Sequence, residues 1–134
     1  PAPGQGGFDP DESYETSCSL SPARFMYVLE QRRTHPQYQT GGATFAWIGA
    51  ALRAGRKILE NAGEIGIPVL LLQASDDTLV DITAHEEFAG RALQTRISRF
   101  EGAKHEIMNS TDEITDRYYE EILTFFRKQT EQKA

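Results

Sequence analysis

Three carboxylates and one imidazole carry most of the chemistry this sequence can offer. Asp76 and Asp77 stand side by side, Asp81 follows shortly after, and His105 lies further along the chain. A carboxylate bonded to imidazole Nδ1 fixes the tautomer and leaves Nε2 to take a proton from a nucleophile, so such an acid paired with His105 would make two members of a catalytic triad. Asp77 is the first candidate and Asp76 the alternative one position away. Grouped carboxylates also hold hard cations. The spacing D-D-x-x-x-D straddles a loop and a helix start, however, and no second acidic motif joins it, so no metal and no cofactor are expected. Asp81 reads better as a helix N-cap whose oxygen takes free N–H groups. His85 reads as a solvent-facing helix residue and His35, ahead of Pro36, as a loop residue. Ser17, Ser19 and Ser21 surround Cys18 with neither a flanking glycine nor a preceding strand, so none reads as a nucleophile. Cys18 itself reads as a small buried hydrophobe.

An acid and a histidine so far apart in sequence meet only if the fold returns one to the other. The nearly unbroken apolar run Ile67-Pro-Val-Leu-Leu-Leu-Gln73, bounded by Gly66 and by Ser75-Asp76-Asp77, reads as a strand at 68–73 buried on both faces. A helix is expected over about 82–94, with Ala84, Phe88 and Ala92 on one face and Thr83 with Glu86 as a capping box. Residues 95–100 alternate loosely and carry two arginines, which suits an edge strand protected by charge. Strand, helix, strand is a crossover unit with two parallel strands. Its two strand-end loops, 73–81 and 101–107, lie on the edge of the sheet where α/β proteins place ligands and catalytic groups.

The flanking segments complete the frame. Ser110 and Glu113 form a second S-x-x-E pair ahead of Ile114, Tyr118, Ile122 and Phe125, predicting a helix over about 111–129 whose Tyr118, Phe125 and Phe126 are core. Phe45, Ile48, Leu52 and Leu59 predict an amphipathic helix within 44–61, and Pro22 to Arg33 a short helix. Residues 1–17, with three Gly and three Pro, read as an irregular or extended start, and a beginning without Met reads as a processed or cut chain. Two strands are too few to bury the first, so the chain is expected to be part of a larger sheet.

Composition sets the outer bounds. The chain has 134 residues and 15.0 kDa, 14 Lys+Arg against 20 Asp+Glu, a formal charge of −6 and 39% hydrophobic residues. One acidic folded domain is the most this length supports. A surface short of Lys and Arg disfavours nucleic acid, whose binding draws on counterion release. No stretch approaches the roughly 20 apolar residues of a membrane span, and one cysteine permits no internal disulfide, which favours a reducing, cytoplasmic setting.

The block Pro68-Val-Leu-Leu-Leu-Gln-Ala-Ser-Asp-Asp77-Thr-Leu-Val-Asp81, followed by Phe100-Glu-Gly-Ala-Lys-His105-Glu-Ile, resembles the end of α/β-hydrolase-fold serine hydrolases, most closely the monoacylglycerol lipase and lysophospholipase branch. The stretch from Arg24-Phe-Met-Tyr to Gly41-Gly-Ala-Thr-Phe-Ala-Trp47 also resembles the cap and the helix behind it in bacterial members. The resemblance implies the C-terminal part of that fold: a cap region and irregular segment at 1–42, and an α/β portion at 43–134. It implies the acid on Asp77, the base on His105, ester hydrolysis, a lipid or small ester substrate, and room for peripheral contact at the inner membrane. The family's G-x-S-x-G elbow occurs nowhere in the 134 residues. The resemblance therefore places the nucleophile in an N-terminal part of the same hydrolase and implies that this chain alone is inert. The other class of reading is a non-catalytic acidic binding or assembly module that self-associates through its open strand edge.

Overall fold

The computed structural model of the chain describes residues 6–131. The elements run α1 (Pro22–Thr34), α2 (Phe45–Asn61), β1 (Val69–Ala74), α3 (Thr83–Arg91), β2 (Thr95–Phe100) and α4 (Asp112–Glu131), with single 3-10 turns between several of them. Residues 1–5, the start of the segment expected to be irregular, lie outside the described residues. From Gly6 to Leu20 the one regular element is the short turn Tyr14–Thr16. Among the described residues, no helix is long and apolar enough to cross a membrane.

β1 and β2 pair in parallel, with Leu71 opposite Ile97 and Ala74 opposite Phe100. Alternation then assigns each face of this sheet a helix. On one face Leu72, Ala74 and Phe100 pack with Ile114 and Tyr118 of α4, and Arg96 and Ser98 both reach Glu121. On the other, the buried Gln73 amide donates to the Ile82 carbonyl at 3.1 Å, and Arg99 pairs with Glu86 of α3. Helices therefore lie on both faces of the expected crossover unit.

The core is small and sits at the carboxyl end of the strands. Ala74, Phe100, Ala103 and Ile107 are buried together, with the Arg117 guanidinium 4.4 Å above the Phe100 ring. Ala74 and Phe100 are the last residues of their strands, so this buried cluster lies at the base of the two loops that carry the acids and His105. The other end of β1 is different. Val69 to Leu72 are only half-buried, against the expectation of burial on both faces, because the described sheet has two strands and one edge of β1 has no neighbour.

Three other expectations need correction. Thr83 and Glu86 form no capping box: Asp81 Oδ1 takes the Thr83 N–H at 2.9 Å, Glu86 turns to Arg99, and the helix ends at Arg91. Ser110 does not cap α4. Its carbonyl accepts from Arg24 Nη1, its hydroxyl is buried without a partner, and the helix starts at Asp112 with Thr115 N–H donating to the Thr111 carbonyl. Phe126 is 61% exposed rather than core, since it lies one helical step round from Phe125, which lines a cavity with Val69 of β1. The predicted amphipathic α2 forms, capped by Thr44, but no residue in it is buried.

The N-terminal segment follows α1 closely. Tyr14 packs on Phe25, Glu12 pairs with Arg32 at 2.8 Å, and Arg33 donates to the Pro10 carbonyl. Phe25 and Leu29, four apart, are the buried residues of α1. Ser21 caps this helix through Arg24 N–H, with Pro22 in its first turn.

Candidate active site

His105 Nδ1 lies 2.7 Å from Asp77 Oδ2. The fold brings these two together through the ends of the adjacent strands. Past β1 the ladder continues as Ser75 N–H to the Phe100 carbonyl and Asp76 N–H to the Ala103 carbonyl, so the acid loop stays stitched to the histidine loop. Ala103 and Ile107, both buried, pin the chain on either side of His105, which stands out between them with its side chain 41% exposed.

The Asp77 carboxylate is almost fully engaged and its side chain is only 6% exposed. Oδ1 accepts the Leu79 and Val80 N–H groups at 2.8 and 3.1 Å, which closes a tight turn around the acid. Burial pushes the carboxyl pKa up, but the hydrogen bonds from His105, Leu79 and Val80 outweigh it and hold the group below its ordinary value. An ionised Asp77 requires Nδ1 to carry a proton, which in the neutral ring leaves the lone pair on Nε2. No hydrogen bond from a described residue reaches Nε2.

A pH effect follows with a definite sign. Because its folded pKa is depressed, the stability supplied by Asp77 is complete above its unfolded value of about 3.9 and is lost as pH falls through the lower folded value. Urea unfolding of wild type and Asp77→Asn should therefore show a wild-type advantage at pH 7 that shrinks by pH 3. An advantage that persists there would mean the carboxylate is not held by these bonds.

The other acids serve the loop. Asp76 is exposed, and its Oδ1 accepts the Ser75 hydroxyl at 2.8 Å; Asp81 takes both the N–H and the hydroxyl of Thr83. Asp76 makes no bond to His105, and among the described residues no group of three or more His, Cys, Asp or Glu converges as a metal site would. His85 is half-buried rather than solvent-facing, its Nδ1 3.3 Å from the Gln73 amide, and His35 folds back on its own helix and stacks on Tyr38.

A brace under the histidine loop had no local signature in the sequence. Residues 17–21 lie along residues 104–109: Lys104 Nζ donates to the Ser17 carbonyl, Glu106 N–H to the Cys18 carbonyl, and Leu20 and Ser21 N–H groups to the Asn109 carbonyl. Ser19, fully buried, donates its hydroxyl to that same carbonyl at 2.6 Å. Ser19 and Ser21 hydroxyls are thus engaged with backbone. Cys18 is half-buried rather than buried and lines a cavity of about 110 Å³ with Phe25 and Glu106. Burial, then the Glu106 and Asp77 carboxylates, push its thiol pKa up, which keeps the sulfur protonated and a poor nucleophile.

The turn between β2 and His105 depends on one glycine. Gly102 has φ 73°, the left-handed region that costs a residue with a side chain about 1–2 kcal/mol. Gly102→Ala is expected to lower unfolding stability by about that amount, read as a drop in the urea midpoint. An unchanged midpoint would show that the turn relaxes to negative φ at no cost.

Comparison with known proteins adds an independent line. The family model described as "Serine aminopeptidase, S33" matches residues 19–112. Lysophospholipase L2 of Escherichia coli (strain K12) is 32% identical over 115 residues, covering 81% of this chain and 34% of that protein. A probable lysophospholipase L2 of Haemophilus influenzae is 24% identical over 127 residues, covering 95% and 41%. A monoglyceride lipase homolog of Monkeypox virus is 26% identical over 121 residues, covering 90% and 44%. The chain thus spans less than half the length of each of these relatives.

Proposed function

The chain belongs to the serine aminopeptidase S33 family and carries part of an α/β-hydrolase fold, and from that premise we propose that it supplies the acid and the base of a Ser-His-Asp ester hydrolase. The observation that carries this reading is the 2.7 Å bond between Asp77 and His105 Nδ1, with Nε2 left open. In the proposed reaction a serine hydroxyl from polypeptide outside these 134 residues attacks the ester carbonyl while His105 Nε2 takes its proton. Asp77 holds the tautomer and stabilises the imidazolium. The same nitrogen then protonates the leaving alkoxide, and a water molecule repeats the cycle on the acyl-enzyme.

The substrate class proposed is a lysophospholipid, a monoacylglycerol or a related small ester. The names of the similar proteins support it, as do the apolar residues Met26, Tyr27 and Val28 exposed on α1, in the part assigned to a cap at 1–42 ahead of an α/β portion at 43–134. A cytoplasmic setting, with peripheral contact at the inner membrane, fits the absence of a disulfide pair and that substrate class.

The test compares this chain with a hydrolase in which it is joined to an N-terminal segment bearing a G-x-S-x-G turn. The joined protein should hydrolyse p-nitrophenyl acyl esters and be silenced by a serine-directed phosphonate. The 134-residue chain alone should do neither, because it lacks the covalent route and the oxyanion donors. Phosphonate-sensitive turnover by the chain alone would overturn the assignment of the nucleophile to another segment.

A further inference from the structure

Asp77 and His105 sit on different loops, so their 2.7 Å contact depends on how well the two loops are registered. The strand ladder contributes the backbone bonds from Ser75 and Asp76. One further atom joins the loops. Ser75 Oγ accepts the Gly102 N–H at 2.8 Å and donates its own proton to Asp76 Oδ1 at 2.8 Å.

From this junction we infer that Ser75 is a positioning residue for the Asp77–His105 pair, with its hydroxyl clamping the histidine loop at Gly102 and Asp76 aiming that hydroxyl. The inference rests on the catalytic reading of the pair given above.

The chemistry requires a group that accepts and donates at the same atom, which a hydroxyl does and an alanine methyl cannot. A hydroxyl rotates freely, and its proton must point away for a lone pair to face Gly102 N–H. The Asp76 carboxylate provides that direction, since an ionised oxygen is the stronger acceptor. Asp76 therefore has a role distinct from Asp77: it fixes the clamp rather than the imidazole. The clamped residue is the one at φ 73°, three residues before His105. A change in that turn swings the imidazole relative to Asp77, whose own position is fixed separately by Leu79 and Val80 N–H groups. Ser75 is only half-buried, so water can replace its bond to Gly102 when the hydroxyl is removed. Positioning should thus suffer more than stability does.

Ser75→Ala, Ser75→Thr, Asp76→Asn and His105→Ala in the joined hydrolase test the inference, with a p-nitrophenyl acyl ester as probe. Ser75→Ala should lower kcat roughly ten- to a hundredfold, the loss that displacement of a catalytic group by about 1 Å brings. KM should change little, because neither loop residue is asked to bind substrate. Ser75→Thr should restore most of kcat, and Asp76→Asn should fall between. In proton NMR the far-downfield Nδ1–H resonance of a bonded His–Asp pair should broaden or vanish in Ser75→Ala and return in Ser75→Thr. Thermal unfolding should be nearly unchanged in both.

If Ser75→Ala keeps wild-type kcat and the downfield resonance, or loses both kcat and thermal stability with no rescue by threonine, the positioning role is wrong. His105→Ala separates the two levels. When it abolishes turnover and Ser75→Ala does not alter it, the Ser75 inference alone falls. Turnover that survives His105→Ala overturns the catalytic reading and this inference with it.

Discussion

His105→Ala in the joined hydrolase is expected to lower kcat for p-nitrophenyl acyl esters by about 10⁶-fold, and Asp77→Asn by about 10⁴-fold. The asymmetry has a physical source. Without the imidazole no group in the site can take the serine proton, whereas an asparagine at 77 keeps the shape of the acid loop but no longer selects the tautomer. Asp77→Asn can keep its carbonyl oxygen on the Leu79 and Val80 N–H groups, but its amide then donates to Nδ1 and leaves the ring proton on Nε2, the wrong nitrogen for a base. Turned round, it sets its own N–H groups against those two donors. His35→Ala is the control, since His35 caps its own helix and stacks on Tyr38, and it should change kcat by less than about twofold. If His105→Ala reduced turnover by less than about tenfold, the exposed imidazole would be a loop residue and the acid–base reading would fail.

The sequence made the two loops legible because strand and helix periods differ. The run of four apolar residues at 69–72 and the looser alternation at 95–100 mark strands, and the polar loops at their ends face the same way. Parallel pairing then follows from the connecting helix. What was not legible depends on long-range contacts. The bond from Ser19 to the Asn109 carbonyl spans 90 residues, and nothing in the S-C-S-L-S run advertises it. The failed capping box ahead of α4 has a related reason. Ser110 matches a capping pattern locally, yet Arg24 of α1 donates to its carbonyl and its hydroxyl is buried without a partner. Ser75 and Asp76 show the opposite effect. Their polarity was visible, but the junction they make with Gly102 exists only because the two strands end in register.

The 134-residue chain in isolation is expected to be a dimer or larger at micromolar concentration. Val69 N–H bonds to the Gln94 carbonyl and Ser75 N–H to that of Phe100, so the odd-numbered positions of β1 face β2. In a parallel ladder the N–H groups of Leu70, Leu72 and Ala74 then point to the other edge, where no described strand receives them. An open edge of this kind recruits a strand. Elsewhere, α2 turns Phe45, Trp47, Leu52 and Ile58 to solvent, with Trp47 and Leu52 64% and 69% exposed. In the joined hydrolase we expect further strands of the same sheet to cover the open edge of β1. A second copy of the chain is the nearest substitute when they are absent. Sedimentation should then show a species of at least twice 15.0 kDa, and Leu52→Glu should shift it toward monomer without lowering the unfolding temperature, since that side chain touches no core residue. A stable 15.0 kDa monomer that unfolds cooperatively would mean that the small core beneath the two loops suffices by itself, and would favour a stand-alone binding module over a piece of a larger sheet.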